Sequence, residues 1–281
     1  MSRILNLIWN EFVYGGHLLS LGAVSIVYTA AVLLGIRITW DFMVIVYLGS
    51  YAPYIYNRYR ELNKDFFTNV ERTRHLEKYV KNIPAMIALS VIIMMGIFLY
   101  FNKIPALLFA LLLFLISFSY SILFKGLSKK IIGFKNFYIS LGWALLVVLL
   151  AIYYTFPMSW SILLISLFVY LRLYVNTNFF DIKDIESDKK EQLLTLPIVL
   201  GQEKLKMILN LINVLTSTPI IIGVFSRFLP FYSLTILFTI PYAFYYLNKT
   251  KMGNNRFLYY VIVDGEYILW PIFILSSKIL L

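Results

Sequence analysis

Nine stretches of mostly apolar residues run through the chain, at 17–36, 40–57, 83–102, 104–124, 136–156, 158–180, 207–226, 228–247 and 257–281. An α-helix needs roughly 20 such residues to cross a bilayer. The runs are continuous, whereas a transmembrane β-barrel alternates apolar and polar positions, so a barrel is excluded. Composition agrees: 60% of the 281 residues are hydrophobic and only 14% are charged, against about 25% charged in soluble domains. Mean hydropathy is +0.79. The sequence therefore predicts an all-α polytopic membrane protein with about nine transmembrane helices. The first ten residues include Arg3, Asn6 and Asn10 and show no short isolated apolar core, which predicts no cleavable leader.

Charge orients these helices. With the N-terminus in the cytoplasm and nine crossings, 20 of the 25 Lys and Arg fall in cytoplasmic segments, four fall outside, and Arg172 lies within the sixth run. This is the positive-inside pattern. It accounts for the net charge of +11 through topology and attraction to anionic head groups, and nucleic acid is not an expected partner. Cysteine is absent, and the two histidines, His17 and His75, form no zinc signature.

The expected outer loops are a few residues long and the cytoplasmic ones longer. Two of the longer loops carry acidic stretches, NRYRELNKD with Asn57, Glu61 and Asp65, and NFFDIKDIESD with Asn178, Asp181, Asp184 and Asp188. Four crossings separate the stretches, so they stand at equivalent helix ends. That placement predicts one domain over 1–281, with four-helix halves at 17–124 and 136–247 in parallel orientation and a ninth helix at 257–281, around a central cavity. Pro53, Pro219, Pro241 and Pro271 fall inside the runs and predict kinks or local unwinding.

Spacing gives each acidic stretch a helical face: i, i+4 and i+8 in the first, steps of three, three and four in the second. Two facing stripes of oxygen ligands suit Mg²⁺, which prefers carboxylates, water and substrate phosphates. A lone carboxylate would instead be read as a loop acid paired with a nearby Lys or Arg.

These residues resemble the motifs of the UbiA superfamily of intramembrane prenyltransferases. Its second motif, D-x-x-D-x-x-x-D, is intact as Asp181, Asp184 and Asp188, and continues through Thr195, Leu196, Pro197 and Gly201. TNVERT, containing Arg72, is similar to the family's T-N-x-x-R, and YSILFK, with Tyr120 and Lys125, to its Y-S-x-x-K. The first motif, N-D-x-x-D-x-x-x-D, departs from the pattern: Arg58 and Glu61 stand where the family usually has Asp. The resemblance implies Mg²⁺ held by Asn57, Glu61, Asp65, Asn178, Asp181, Asp184 and Asp188, with Asp65, Asp181 and Asp184 carrying catalysis. It implies a prenyl diphosphate gripped by Lys125, Arg72, Lys189 and Arg58, ionisation to an allylic carbocation, and transfer to a small or lipid acceptor at the cytoplasmic side of the membrane. A terpene cyclase using the same ionisation is the alternative, and a cation transporter a more distant one.

Other polar residues have two readings each. Tyr120 and Tyr138 could line the substrate cavity and stabilise a cation or simply pack. Asn10, Glu11 and His17 could meet an acceptor or form an amphipathic lead-in on the membrane surface. Asp264 and Glu266 lie in the ninth run, where acids are costly and usually functional; the other reading pairs them with Arg172 or a loop lysine. Nothing in the sequence selects the acceptor or the donor's chain length.

Overall fold

Each of the nine apolar runs falls on helix in a computed structural model of the chain, which describes residues 3–62, 69–120, 124–249 and 257–280. Fourteen α-helices are present among the described residues. α1 is Arg3–Tyr14, α2 His17–Leu34, α3 Trp40–Arg60, α4 Val70–Glu77, α5 Ile83–Tyr100, α6 Ile104–Ser119, α7 Phe134–Tyr153 and α8 Trp160–Asp181. There follow α9 Ile185–Lys190, α10 Leu196–Leu200, α11 Gln202–Leu215, α12 Ser217–Phe225, α13 Thr239–Asn248 and α14 Asp264–Leu280. A 3-10 helix, Phe231–Phe238, leads into α13, and a wide π-helical segment, Leu258–Val263, leads into α14.

Among the described residues six segments are long and apolar enough to cross a membrane: His17–Leu34, Val80–Tyr100, Phe134–Tyr153, Trp160–Asp181, Gln202–Phe225 and Leu258–Ile279. The other three expected crossings differ for separate reasons. α3 carries five tyrosines together with Asp41, Asn57, Arg58 and Arg60. α6 is apolar but has 16 residues. The run at 228–247 is broken between 3-10 and α geometry.

Proline sets several boundaries. Pro84 and Pro105 stand in the first turns of α5 and α6, where a missing N–H costs little. Pro219 cannot donate to the carbonyl of Leu215, and α11 ends there, with α12 restarting two residues later. Pro241 sits in the first turn of α13. Only Pro53 and Pro271 lie in helix interiors, so two of the four expected interior prolines mark helix starts instead.

Among the described residues the packed interior has one large apolar cluster that includes Ile26, Phe42, Phe168, Tyr267 and Trp270, and two smaller ones, around Phe179 and Tyr246 and around Tyr51 and Ile55. α2 runs through the large one against α3, α7 and α14. Its buried small residues Gly22, Ala23, Ala30 and Ala31 allow that approach. The outer surface is equally apolar: Leu89, Ile92, Leu108, Leu211, Phe225 and Ile272 are exposed. An exposed apolar surface on this scale is what a lipid-facing bundle presents.

Candidate active site

The C-terminal ends of α3, α6 and α8 and the N-terminal end of α7 meet around one cavity of about 340 Å³. Its lining changes character along each helix. On α7, Lys135 and Asn136 come first, then Ile139, Gly142, Trp143 and Leu146; on α8, Leu173 is followed by Asn176, Thr177, Phe180 and Asp181. α3 runs from Gly49 and Ser50 to Asn57, Arg58 and Glu61. Because α7 and α8 are consecutive and antiparallel, these gradients coincide. The cavity has one end lined by charges and another lined by Leu113, Phe114, Ile139, Leu146 and Leu173.

At the charged end the acids are held by cations of the chain. Lys135 Nζ donates to Asp181 Oδ1 at 2.7 Å and lies 3.6 Å from Asp188 Oδ2. Asn136 Nδ2 donates to Asp181 Oδ2 at 2.7 Å and to Asn178 Oδ1 at 2.6 Å. Lys183 Nζ donates to both oxygens of Asp184 at 3.0 Å and to Asn69 Oδ1 at 2.9 Å. Burial pushes the Asp184 carboxyl up, but the charges of Lys183 and Lys135 more than reverse this and leave it below its ordinary value. Glu61, the residue that ends α3, lies 3.7 Å from Lys125 Nζ and 3.7 Å from Arg58 Nη2. Lys125 also donates to Glu191 at 3.1 Å. Arg72 stands over the Tyr260 ring, its guanidinium carbon 5.5 Å from the ring centre.

The second acidic stretch does not form one face. α8 ends at Asp181, a turn carries Lys183 and Asp184, and α9 starts a new helix at Ile185. Asp181 and Asp184 consequently line the cavity, while Asn178 and Asp188 lie outside its lining and are fully buried. Asn178 is occupied by Asn136 and the Tyr174 carbonyl, and Asp188 sits behind Lys135. Asn57, Arg58, Glu61, Arg72, Tyr120 and Tyr138 are all in the lining. Lys125 reaches the site through Glu61, whereas Lys189 is exposed and outside the lining. Asp65 lies outside the described residues.

Asn10 and His17 are also outside the cavity. His17 lines a separate open groove with Glu11, His75, Lys78 and Tyr79. Glu11 accepts from His75 Nε2 at 2.7 Å and meets His17 Nε2 at 3.3 Å. These contacts, His17 first and His75 second, hold its carboxyl at about 2. The apolar side of α1, with Ile4, Leu5, Ile8 and Trp9, is exposed, so α1 is an amphipathic helix. Gly16, at φ 89, joins α1 to α2 where a Cβ would lie 2.4 Å from the Tyr54 ring of the cavity wall, so only glycine fits that turn.

The sequence reading missed Lys135, Asn136 and Lys183 as site residues. The positive-inside pattern explains each lysine equally well, so composition gave no signal. Spacing from Asp181 and Asp184 would have found Lys183, but Lys135 and Asn136 arrive only through the packing of α7 on α8.

The two acids of α14 part company. Arg172 donates to Glu266 through Nε at 3.0 Å and through Nη2 at closer range, and also bonds Asn213 and the Thr239 carbonyl. Tyr246 Oη donates to Glu266 Oε2 at 3.0 Å. Glu266 therefore belongs to a sealed buried network, as the pairing alternative held. Asp264 lines the cavity, with neither a hydrogen bond nor an ion pair among the described residues.

Fit to a metal follows from the donor chemistry. Among the described residues no three acidic or histidine side chains gather to hold an ion by themselves. Mg²⁺ at phosphate sites uses only one or two carboxylates, with substrate oxygens and water completing its shell. Asp181 and Asp184, with Asn57 and Glu61, meet that requirement. Charge agrees: the cavity carries four acids, Glu61, Asp181, Asp184 and Asp264, and four cations, Arg58, Arg72, Lys135 and Lys183. A neutral site takes up a polyanion only if positive charge enters with it.

Two solved structures are similar over nearly the whole chain. The apo structure of a UbiA homolog from Aeropyrum pernix K1 has a TM-score of 0.72 at 17% identity, covering 93% of this chain and 97% of that one. A structure concerning digeranylgeranylglyceryl phosphate synthase in membranes has a TM-score of 0.60 at 15% identity, covering 98% of each chain. No curated protein matches in sequence. At these identities the structures establish the fold. The model of the UbiA prenyltransferase family matches residues 18–259, and the chain belongs to that family.

Proposed function

We propose that the protein is a Mg²⁺-dependent intramembrane prenyltransferase that moves an isoprenyl group from a prenyl diphosphate to a small or lipid acceptor. The observation that carries this reading is one cavity with a charge-balanced acid–base end and an apolar end, which matches a substrate with a diphosphate head and a hydrocarbon tail. Asp181, Asp184, Asn57 and Glu61 are the residues to hold Mg²⁺, with Asp65 a further ligand expected from the sequence. Bound there, the ion supplies charge neutralisation to the leaving diphosphate.

The chain's own groups do the rest. Arg58, Arg72 and Lys183 offer charge-assisted donors to phosphate oxygens. Lys135 and Asn136 fix both oxygens of Asp181 from behind. Leu113, Phe114, Ile139, Leu146 and Leu173 receive the prenyl chain and keep water from the allylic cation. Tyr120 and Tyr138 line the cavity, and in this reading their rings stabilise the allylic cation. In this reading the chain is one unit with nine crossings, its halves at 17–124 and 136–247 each contributing one acidic stretch. The N-terminus is cytoplasmic and the charged end of the cavity opens to that side.

The test uses the purified full chain in liposomes with labelled geranyl, farnesyl and geranylgeranyl diphosphates. The acceptors are 4-hydroxybenzoate, 1,4-dihydroxy-2-naphthoate and geranylgeranylglyceryl phosphate. A prenylated product that requires Mg²⁺, disappears with EDTA and is lost in Asp184→Asn is expected. A cyclic hydrocarbon formed from donor alone, or turnover intact in Asp184→Asn, would overturn the reading.

A further inference from the structure

Two carboxylates two residues apart on one helix are treated in opposite ways. Glu266 is closed in by Arg172 and Tyr246, while Asp264 opens into the cavity without a donor among the described residues. An acid in a membrane helix is costly and persists where it is used, and Asp264 is not used to hold the fold. The other cavity acids are occupied: Asp181 by Lys135 and Asn136, Asp184 by Lys183, Glu61 by Lys125 and Arg58. The charges that face Asp264 are those of Arg72, Lys183 and Arg58, which puts it at the polar end, beside the proposed diphosphate position. The helix is wound as a wide π turn over Leu258–Val263, immediately before it. Such turns recur at functional sites because they re-aim the side chains that follow. Tyr260 and Asp264, four residues apart across this junction, both reach the cavity wall.

We propose that Asp264 is the base that takes the acceptor's proton during prenyl transfer. The assignment rests on the prenyltransferase reading and adds the group that completes its proton balance. The bond between the prenyl C1 and its bridging oxygen breaks, and the electron pair leaves with the diphosphate. An electron pair of the acceptor forms the new bond to C1. The proton displaced from the acceptor's O–H or ring C–H passes to a carboxylate oxygen of Asp264. Asp181 and Asp184 serve the leaving group from the end of α8 and the turn after it, and Asp264 serves the nucleophile from α14, so ionisation and proton removal are separable.

That separation supplies the experiment. The full chain in liposomes with Mg²⁺ is given geranyl, farnesyl and geranylgeranyl diphosphates carrying ¹⁸O at the bridging position. The nucleophile is water, 4-hydroxybenzoate or geranylgeranylglyceryl phosphate. Movement of label into non-bridging oxygens reports ionisation and return; net diphosphate release with product reports transfer. Asp264→Asn is expected to keep label movement within about threefold of wild type while net transfer falls roughly 100-fold, the usual contribution of a positioned base. Asp264→Glu should recover part of the loss. Label movement and transfer falling together, or the ratio of the two staying at the wild-type value, would overturn the role of Asp264 alone. Wild-type protein that moves no label with any donor would instead overturn the prenyl-transfer reading beneath it.

Discussion

Two cation–carboxylate networks of similar make-up lie in this bundle, and they differ in what surrounds them. Arg172 and Glu266 are 0% and 1% exposed and have every neighbouring donor and acceptor supplied by protein. Lys135 and Asp181 have the same partners in kind, a cation, a carboxylate and an asparagine amide, yet they stand on the wall of a cavity. A sealed network can only hold helices together, here α8, α11, α13 and α14. A network with one open side can exchange its internal cation for an incoming ligand. Similar chemistry thus becomes structure in one place and a candidate site in the other, and access to the cavity is the deciding variable, since Asp181 is itself buried.

The largest effect should come from breaking the sealed pair. Arg172→Met leaves Glu266 buried without its cation, at a cost of about 3–5 kcal/mol, which thermal unfolding in detergent would register as a large drop in midpoint. A midpoint near wild type would mean that the two networks are not different in kind. Asp181→Asn should act in the opposite way. Turnover is expected to fall roughly 100-fold, equivalent to about 2.7 kcal/mol of barrier. The unfolding midpoint should hardly move, because Lys135 keeps Asp188.

The double variant Arg172→Met with Glu266→Met sharpens the contrast. Replacing both members of a buried pair by apolar groups removes the uncompensated charge, so it should recover at least about 2 kcal/mol over the single variant. The smallest effect concerns Glu11, whose carboxyl is lowered from 4.5 to about 2 by His17 and His75. A lowered carboxyl stabilises the fold above its unfolded value and loses that contribution as protons bind in the folded state. Docking of α1 should therefore weaken as pH falls from about 4.5 to about 2. Limited proteolysis near Gly15 and Gly16 should show this, and Glu11→Gln should flatten the dependence.

Much of the fold was legible because bilayer crossing imposes a length and a composition that survive in any order of residues. The described residues of the nine apolar runs are mostly helical, six segments among them are long and apolar enough to cross a membrane, and several helix ends fall at Gly35 or a proline. The breaks at Thr216 and at Phe238 were less legible, since hydropathy averages over the one missing hydrogen bond that ends a helix. At the site, Asp181, Asp184, Asn57 and Glu61 could be picked out because acids at helical spacing are rare in such segments. The stripe from Asn178 to Asp188 was overextended, because its logic requires one unbroken helix and the chain turns at 182–184.

The sequence by itself determined that the chain is helical, suited to a membrane and marked by two acidic stretches, because hydrophobic length and local spacing are properties of consecutive residues. Only the tertiary structure decided that Lys135 and Asn136 stand behind Asp181, that Glu266 is locked to Arg172, and that Asp264 is left facing the cavity. Those relations, where they pair two residues, join positions 45 to 94 apart in sequence. They depend on how the helices are rotated about their axes, which packing sets and periodicity does not encode.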